Sequence, residues 1–293
     1  MPELPEVETV ARRLQARLPG AVIRQVDVLW DRTISHPLPA ERFSAQMAGS
    51  VVLRVGRRAK SVVLHLDGGR VMTVALRMTG ALIVATPGAA PDPHARVVFD
   101  LADGRQLRFR DARKFGRIGL YPGRGRRRVA DVFARHGPEP LAGSFSAARL
   151  ADRLRRRSAR LKTLLLDQSF IAGVGNIYAD EALWRARLHP LRRADTLTDA
   201  EVGRLHRAIR GALREGLAGG GASYRDYVDP DGEPGLAAER MRVYRRTGER
   251  CPRCGRRIER IVVGQRATHF CPRCQPAPLE GVPSKGAPAV GAE

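Results

Sequence analysis

The chain opens with the residues MPELPE, which place prolines and carboxylates side by side at the N-terminus. If Met1 is removed, Pro2 presents a free secondary amine, which can attack an aldehyde-like sugar carbon and form a Schiff base. An α-amino group loses its proton near pH ~8, far below lysine, so a useful fraction is nucleophilic at neutral pH. The same six residues also fit an ordinary helix start at Pro5. On these residues alone both interpretations stay open.

Four cysteines lie in one short window as two Cys-x2-Cys pairs, separated by sixteen residues. Such pairs supply four thiolates on two tight turns, the ligand set of a tetrahedral zinc site. Two disulfides are the alternative, and a cytoplasmic chain rarely keeps them. Because all four ligands come from the protein, the zinc would be structural and would leave no position open for catalysis. The predicted ligands are Cys251, Cys254, Cys271 and Cys274.

Net charge constrains the partner. The 293 residues carry a formal charge of +22, mostly from arginine, and such an excess disfavours a compact state unless a polyanion is near. Nucleic acid is the usual polyanion, although a GC-rich genome also enriches Arg, Ala and Gly. No apolar run approaches the ~20 residues that span a membrane, and the acidic N-terminus is unlike a secretory signal. We therefore expect a cytoplasmic, nucleoid-associated protein that does not bind membranes.

The first half of the chain predicts one helix followed by many short strands. Apolar residues recur at helical spacing, which predicts a helix over 5–18. Runs rich in β-branched residues alternate with turns such as Asp67-Gly68 and Asp103-Gly104. Strands are predicted over 22–30, 51–55, 61–66, 71–76, 96–101 and 106–110. This order indicates a β-sandwich with an attached helix.

The second half predicts helices, after a Pro-, Gly- and Arg-rich linker over 121–140. The predicted helices cover 146–157, 175–187 and 198–217, the last beginning at a Thr198–Glu201 capping box. The glycines at 219–221 begin a loop that reaches about 238, and a loop of that length is usually functional or mobile. Between the cysteine pairs, residues 260–266 predict a strand and a turn into a second strand.

Three separated features together resemble the formamidopyrimidine-DNA glycosylase family, which includes endonuclease VIII: the PELPEVE start, the helical middle and the four-cysteine hairpin. The resemblance covers residues 2–275. It implies an α+β fold, with an N-terminal β-sandwich and attached helix, and a C-terminal helix–two-turn–helix domain that bears the zinc finger. The implied boundaries are 1–135 for the catalytic domain, 136–240 for the helical domain, 241–276 for the finger and 277–293 for a disordered tail.

The resemblance implies roles for four residues around the N-terminus. Pro2 would attack C1′ of the damaged nucleoside, Glu3 would be the general acid/base, and Glu6 would help to hold the N-terminus in place. Lys60, in a basic turn, matches a lysine that contacts phosphate beside the lesion. The simpler interpretation of Glu3 and Glu6 is favourable charge at a helix start, and that of Lys60 is a solvated basic turn.

Six further residues match the family's DNA contacts. An enzyme that acts on a base must flip it out of the duplex, and Met78, Arg113 and Phe115 match the residues that fill the gap. By pattern alone, Met78 would be a core residue and Phe115 a strand aromatic. The matches to phosphate contacts are Lys162, Asn176 and Arg266.

The chain departs from the family pattern in several loops. The family more often has Gly at the positions of Ala59, Arg77 and Arg245, and usually has Pro at that of Ala112. Residues 222–232 match, more loosely, a loop that caps an everted 8-oxoguanine.

The implied function is a bifunctional DNA glycosylase and AP lyase for base-excision repair. It would act as a monomer on damaged double-stranded DNA and remove oxidised purines by β,δ-elimination. It would need one structural Zn²⁺ and no catalytic metal or organic cofactor. An endonuclease VIII-like enzyme for oxidised pyrimidines is an alternative, although Leu4 and the 111–116 motif favour the purine enzyme. A catalytically inactive DNA-binding relative is another, against which the intact Pro2, Glu3, Glu6 and Lys60 argue. A zinc-ribbon interaction module would leave the first 240 residues unexplained.

Overall fold

The computed structural model describes residues 2–123 and 128–278. Met1 and its removal, residues 124–127 of the predicted linker, and the predicted disordered tail beyond residue 278 lie outside the described residues. No described helix is both long enough and apolar enough to cross a membrane.

The first helix of the structure is α1 (Leu4–Gln15), which begins one residue before the predicted range and ends three residues before its end. Its apolar positions recur at helical spacing, so Val7, Val10 and Leu14 lie fully buried along one face. Pro5 lies in the first turn, where its missing N–H removes no helical hydrogen bond.

Two sheets in the first half of the described chain share one hydrophobic core with α1. Their strands are β1 (Ile23–Val28), β2 (Ile34–His36), β3 (Val52–Arg58), β4 (Ser61–Leu66), β5 (Val71–Ala75), β6 (Ala81–Ala85), β7 (Ala95–Leu101), β8 (Gln106–Arg110) and β9 (Arg117–Tyr121). The sheet orders are β1-β7-β8-β6 and β2-β9-β5-β4-β3, antiparallel except for the β2–β9 pair. A further helix, α2 (Ala40–Met47), lies between β2 and β3 in the chain.

Sequence pattern accounts for the strands because side chains alternate between the two faces of a sheet. Along β7, Val97, Phe99 and Leu101 are buried and the residues between them are half-buried. The predicted Asp-Gly turn at Gly104, where φ is 85°, joins β7 to β8 as a hairpin. The predicted β-sandwich with an attached helix is confirmed.

The second half of the described chain is helical. Its helices are α3 (Val129–Phe133), α4 (Ala147–Arg155), α5 (Leu161–Leu166), α6 (Asn176–Ala186) and α7 (Asp199–Ala218). The predicted capping box of α7 is present, since the N–H of Thr198 donates to Glu201 Oε2 at 2.9 Å and the N–H of Glu201 donates to Thr198 Oγ1 at 3.3 Å. These helices enclose a second buried cluster.

A small hairpin completes the described fold. Strands β10 (Glu259–Val263) and β11 (Arg266–Phe270) pair antiparallel, with Val263 opposite Arg266 across the turn. A third buried cluster joins this hairpin to Trp184 of α6. Buried Glu181, also in α6, fastens the approach to the hairpin, because its Oε1 accepts the N–H groups of Val243 at 2.9 Å and Tyr244 at 3.0 Å.

Candidate active site

The N-terminus of α1 enters the helical half of the molecule. Leu4 belongs to the buried cluster of the helical half, whereas Val7, one turn later, belongs to the cluster between the sheets. The backbone N–H of Leu4 donates to the carbonyl oxygen of Gly173 at 2.9 Å. Residues Pro2 and Glu3 therefore lie at the junction of the two halves, and both are buried.

The Glu3 carboxylate is bound to the start of α6. Its Oε2 accepts the N–H of Gly175 at 2.7 Å, and its Oε1 accepts the N–H of Ile177 at 2.8 Å. The first N–H groups of a helix lack helical partners and carry partial positive charge, so this is a favourable place for a buried carboxylate. The carboxylate beside Pro2 is thereby held by the start of α6, which lies more than 170 residues later in the chain.

Close approach at this point requires glycine. A Cβ on Gly175 would lie 2.5 Å from Cδ of Glu3, and a Cβ on Gly173, where φ is +84°, would lie 2.8 Å from Cβ of Leu4. The turn before α6 therefore needs glycine at both positions, because the N-terminal residues Glu3 and Leu4 pack directly against it.

Replacing Gly175 by alanine is expected to lower kcat about tenfold, because the added methyl group displaces the Glu3 carboxylate from α6. The matched control is Gly203→Ala in α7, where a Cβ would meet only Nη1 of Arg207 at 3.5 Å. Single-turnover strand cleavage would compare the two variants. Equal rates for Gly175→Ala and wild type would contradict this account of the turn.

Glu6 connects three parts of the site. Its Oε2 accepts the N–H of Glu3 at 2.7 Å, and its Oε1 accepts the hydroxyl of Tyr178 at 2.7 Å and the N–H of Ala222 at 2.8 Å. Burial, and then the neighbouring charge of Glu3, raises the pKa of Glu6. Because these three hydrogen-bond donors come from different parts of the chain, Glu6 fixes the position of the N-terminal segment.

A pocket of about 490 Å³ opens at Pro2. Lys60, Arg77 and Gln168 are among the residues that line it. Burial lowers the pKa of Lys60, the charges of Glu3 and Glu6 raise it, and those of Arg266 and Arg77 lower it further. Lys60 therefore lies within electrostatic reach of both predicted catalytic carboxylates and of the arginine at the end of the zinc hairpin.

The Lys60 turn is held by Glu139, a residue that the sequence analysis did not select. Its carboxylate accepts the N–H of Ala59 at 2.7 Å and pairs with Arg58 at 2.6 Å and with Arg57 at 2.7 Å. Ala59 has a φ of 52°, a left-handed conformation that glycine adopts more easily. Glu139 lies at the end of the predicted linker, so one carboxylate ties the β3–β4 turn to the start of the helical half.

The three predicted gap-filling side chains lie together at the surface. Met78 is 41% exposed, so the pattern-based interpretation of Met78 as a core residue is wrong. Phe115 is 48% exposed and lies before β9, so its interpretation as a strand aromatic is wrong as well. Arg113 joins them, with its guanidinium 4.9 Å from the Phe115 ring centroid and Nη1 3.4 Å from Met78 Sδ. Buried Asp111 shapes this loop by accepting the N–H of Gly116 at 2.7 Å.

Lys162 is the predicted DNA contact that the structure corrects. Its side chain is 0% exposed, and its Nζ donates to Asp180 Oδ1 at 2.6 Å and to the Asn176 carbonyl oxygen at 3.0 Å. Because a phosphate cannot reach an ammonium group without exposed surface, direct phosphate contact by Lys162 is wrong. Asp180 also accepts the N–H of His269 at 2.9 Å, so Lys162 supports the connection between α6 and β11.

The other two predicted phosphate contacts lie on both sides of that connection. The Asn176 side chain donates through Nδ2 to the carbonyl oxygen of Ala267 at 2.9 Å, which ties the start of α6 to β11. Arg266 is exposed at the hairpin turn, and its positive charge is close enough to lower the pKa of Lys60. The structure thus brings the start of α6, the hairpin and the Pro2 pocket together.

The four cysteine sulfurs form a compact group, and all lie within 4.8 Å of one another. Two of the distances are 3.9 Å, between Cys251 and Cys274, and 3.4 Å, between Cys254 and Cys271. Tetrahedral zinc with Zn–S bonds of ~2.3 Å places its sulfurs ~3.8 Å apart, so the group fits a Zn²⁺ ion. The indole N–H of Trp184 donates to Cys251 Sγ at 3.4 Å and supports the site from α6.

Replacing Cys271 by serine is expected to remove the zinc and to weaken binding to duplex DNA by about tenfold or more, because the hairpin that bears Arg266 loses its support. Colorimetric zinc release should give one zinc per wild-type chain and none for the variant. Fluorescence anisotropy would measure DNA affinity before and after chelation, with zinc addition to the chelated wild type as the control. Unchanged affinity after complete zinc loss would contradict this role.

Comparison with known proteins gives a consistent result. Three family models match: the N-terminal domain of formamidopyrimidine-DNA glycosylase over residues 1–118, its H2TH domain over 136–227, and the zinc finger found in FPG and IleRS over 248–277. The formamidopyrimidine-DNA glycosylase of Roseiflexus sp. (strain RS-1) is 50% identical over 276 residues, which cover 94% of this chain and 100% of that protein. That of Pelotomaculum thermopropionicum is 48% identical, covering 94% of this chain and 99% of that protein.

Solved structures agree with the sequence relatives. The MutM (FPG) protein of Thermus thermophilus superposes with a TM-score of 0.83 at 44% identity, covering 94% of this chain and 98% of that one. A Lactococcus lactis FPG mutant in complex with a Fapy-dG containing DNA gives a TM-score of 0.87 at 34% identity, covering 94% of this chain and 100% of that one.

Proposed function

Since the chain belongs to the formamidopyrimidine-DNA glycosylase family, we propose that Pro2 is the nucleophile with which it removes oxidised purines from duplex DNA in base-excision repair. AP lyase activity is characteristic of this family. The observation that carries the proposal is the position of Pro2, in a pocket shared with Lys60 and next to a carboxylate held on α6. Removal of Met1 is the step that frees the amine.

The proposed chemistry proceeds through a covalent intermediate. The Pro2 nitrogen attacks C1′, the bond from C1′ to the damaged base breaks, and the sugar ring opens to give a Schiff base. β-Elimination and then δ-elimination release the two phosphates, and hydrolysis of the Schiff base frees the enzyme. Glu3 exchanges the protons that these steps need, because it is the carboxylate next to the amine. Glu6 positions both residues through the N–H of Glu3.

We propose that the surface around the pocket holds the DNA. Lys60 and Arg266 would bind phosphates beside the lesion, and Asn176 would bind at the start of α6. Met78, Arg113 and Phe115 would enter the gap that the flipped nucleotide leaves, and their exposure and mutual contacts support this role. Lys162 would act indirectly, by supporting α6.

The remaining features of the proposal concern organisation. We propose domains over 1–135, 136–240 and 241–276, which the order of the buried clusters supports. The zinc is structural, and we propose that the reaction uses no catalytic metal or organic cofactor, since the amine and carboxylates supply the chemistry. We further propose a monomer that works in the cytoplasm at the nucleoid, without a membrane.

Competing substrates test the proposal. Duplexes with 8-oxoguanine and with thymine glycol, mixed in equal amounts, should show faster cleavage at 8-oxoguanine. Preference for thymine glycol would favour an endonuclease VIII-like enzyme for oxidised pyrimidines. Binding of the lesion duplex without cleavage of either strand would indicate a catalytically inactive relative.

A further inference from the structure

The loop over residues 219–238, here called the capping loop, is attached to α1 at several points along its length. At its start, the N–H of Ala222 donates to Glu6 Oε1 at 2.8 Å. Further along, the hydroxyl of Tyr227 donates to the Glu6 carbonyl oxygen at 3.2 Å, and Asp231 pairs with Arg13 at 2.6 Å. These contacts connect the loop to the residue that holds Glu3.

The tip of the capping loop, residues 224–226, is held by its first residue. The Tyr224 ring lies edge-on to Tyr244, with ring centroids 5.4 Å apart, and the Arg245 guanidinium lies 4.8 Å from the Tyr224 ring centroid. Arg225 and Asp226 are exposed and form no hydrogen bond or ion pair with other described residues. Among the described residues, the Tyr224 ring is thus what joins the tip to the segment before the zinc hairpin.

The backbone of Arg245 has an unfavourable conformation. Its φ is 62°, in the left-handed region that favours glycine, and the family pattern more often has glycine here. Such a conformation persists where the surrounding structure supports it, and the preceding residue is supported because the N–H of Tyr244 donates to buried Glu181. Arginine at this position therefore has a strained backbone, and its guanidinium adds a positive charge over the Tyr224 ring.

The surroundings of Tyr224 favour a cation. The hydroxyl oxygen of Tyr224 is buried and has no hydrogen-bond partner among the described residues. Burial, and then the charge of Glu181, raises the pKa of this phenol, and the charge of Arg245 acts in the opposite direction. Arg245 itself is exposed and the Tyr224 ring is half-buried, and a cation–π contact at an exposed site contributes ~0.5–1 kcal/mol.

We propose that Arg245 is a positioning residue, which uses its cation–π contact with Tyr224 to hold the tip of the capping loop ready to cover an everted base. The inference rests on the proposed function and concerns only its base-dependent step. Once the base has left, nothing remains for the loop to cover. Loss of the contact should therefore slow excision of 8-oxoguanine and spare cleavage at a preformed abasic site.

A double-mutant cycle tests this inference, with Arg245→Gly, Tyr224→Leu and the double variant. Each single variant should lower kcat/KM for 8-oxoguanine excision about fivefold, which corresponds to about 1 kcal/mol, and the double variant should fall no further. AP lyase rates on a preformed abasic duplex should stay within about twofold of wild type. Arg240→Ala, which removes an exposed arginine outside the ring contact, is the charge control and should leave both rates unchanged.

Arg245→Gly also separates positioning from folding. Because glycine adopts a positive φ without strain, the melting temperature of this variant should not fall below that of wild type. Additive effects of the two substitutions, an equal fall in AP lyase rate, or unchanged excision would each overturn the inference. A wild-type protein that cleaves abasic DNA but does not discriminate 8-oxoguanine would overturn it while leaving the Pro2 chemistry intact. A wild type inactive on both substrates would refute the proposed function itself.

Discussion

Replacing Pro2 by glycine is expected to lower the rates of base excision and strand cleavage by at least about a thousandfold, equivalent to ~4 kcal/mol of transition-state stabilisation. Glycine still offers an amine once Met1 is removed, but it lacks the ring that makes the amine secondary and restricts the backbone. The amine of the variant would no longer be directed into the pocket that Lys60 lines. Single-turnover cleavage of an 8-oxoguanine duplex is the measurement.

The control for this substitution is Pro87→Gly, the same change at an exposed turn after β6. Its cleavage rate should equal that of wild type. DNA affinity should be retained by Pro2→Gly, because the residues that we propose bind phosphate are untouched. A Pro2→Gly variant that cleaves within about tenfold of wild type would contradict a nucleophilic role for Pro2.

Replacing Glu3 by glutamine is expected to slow excision about a thousandfold, within the range for loss of a general acid/base. An amide cannot exchange the proton that each step requires. It also turns an NH2 group toward one of the two N–H donors, of Gly175 or Ile177, that the carboxylate now satisfies. The substitution is therefore expected to remove the proton exchange and to displace the side chain at the same time.

Two readouts separate these effects. Glu41→Gln, the same substitution at an exposed position of α2, should leave activity and stability unchanged. For Glu3→Gln, a pH–rate profile that loses its acidic limb would identify the lost proton carrier, since a merely displaced carboxylate would keep it. An unchanged profile together with full activity would contradict the assigned role.

Local pattern predicted the elements because their periodicities are properties of neighbouring residues. The face of α1 that bears Val7 and Val10, the alternation along β7 and the Thr198–Glu201 capping box are all present as expected. The short elements α2, β6 and β9 were not predicted. Each has only five to eight residues, and the packing against the sandwich core that stabilises them comes from distant parts of the chain.

The site was less predictable, because its organising contacts are long-range. Nothing near Glu139 in the sequence indicates that it holds the Lys60 turn, 80 residues away from it. Burial of Lys162 against Asp180 follows from the packing of α5 on α6, which a basic residue in an apolar run does not reveal. Tyr178 and Glu181 were missed for the same reason, although both lie in the helix predicted over 175–187.

Three departures from the family pattern have a common structural explanation. Ala59, Arg77 and Arg245 stand where glycine is more usual, and all three have φ between 52° and 62°. Left-handed backbone at these turns is the physical requirement that glycine would meet without strain. Glu139 supports Ala59 by accepting its N–H, and Glu181 supports the residue before Arg245 by accepting the N–H of Tyr244.

Borohydride trapping tests the central claim most directly. Reduction during the reaction with an 8-oxoguanine duplex should convert the Schiff base into a stable protein–DNA adduct. Peptide mapping by mass spectrometry should then place the DNA on an N-terminal peptide that begins at Pro2 and lacks Met1. An adduct on the side chain of Lys60, or the absence of any adduct while the strand is cleaved, would contradict the account.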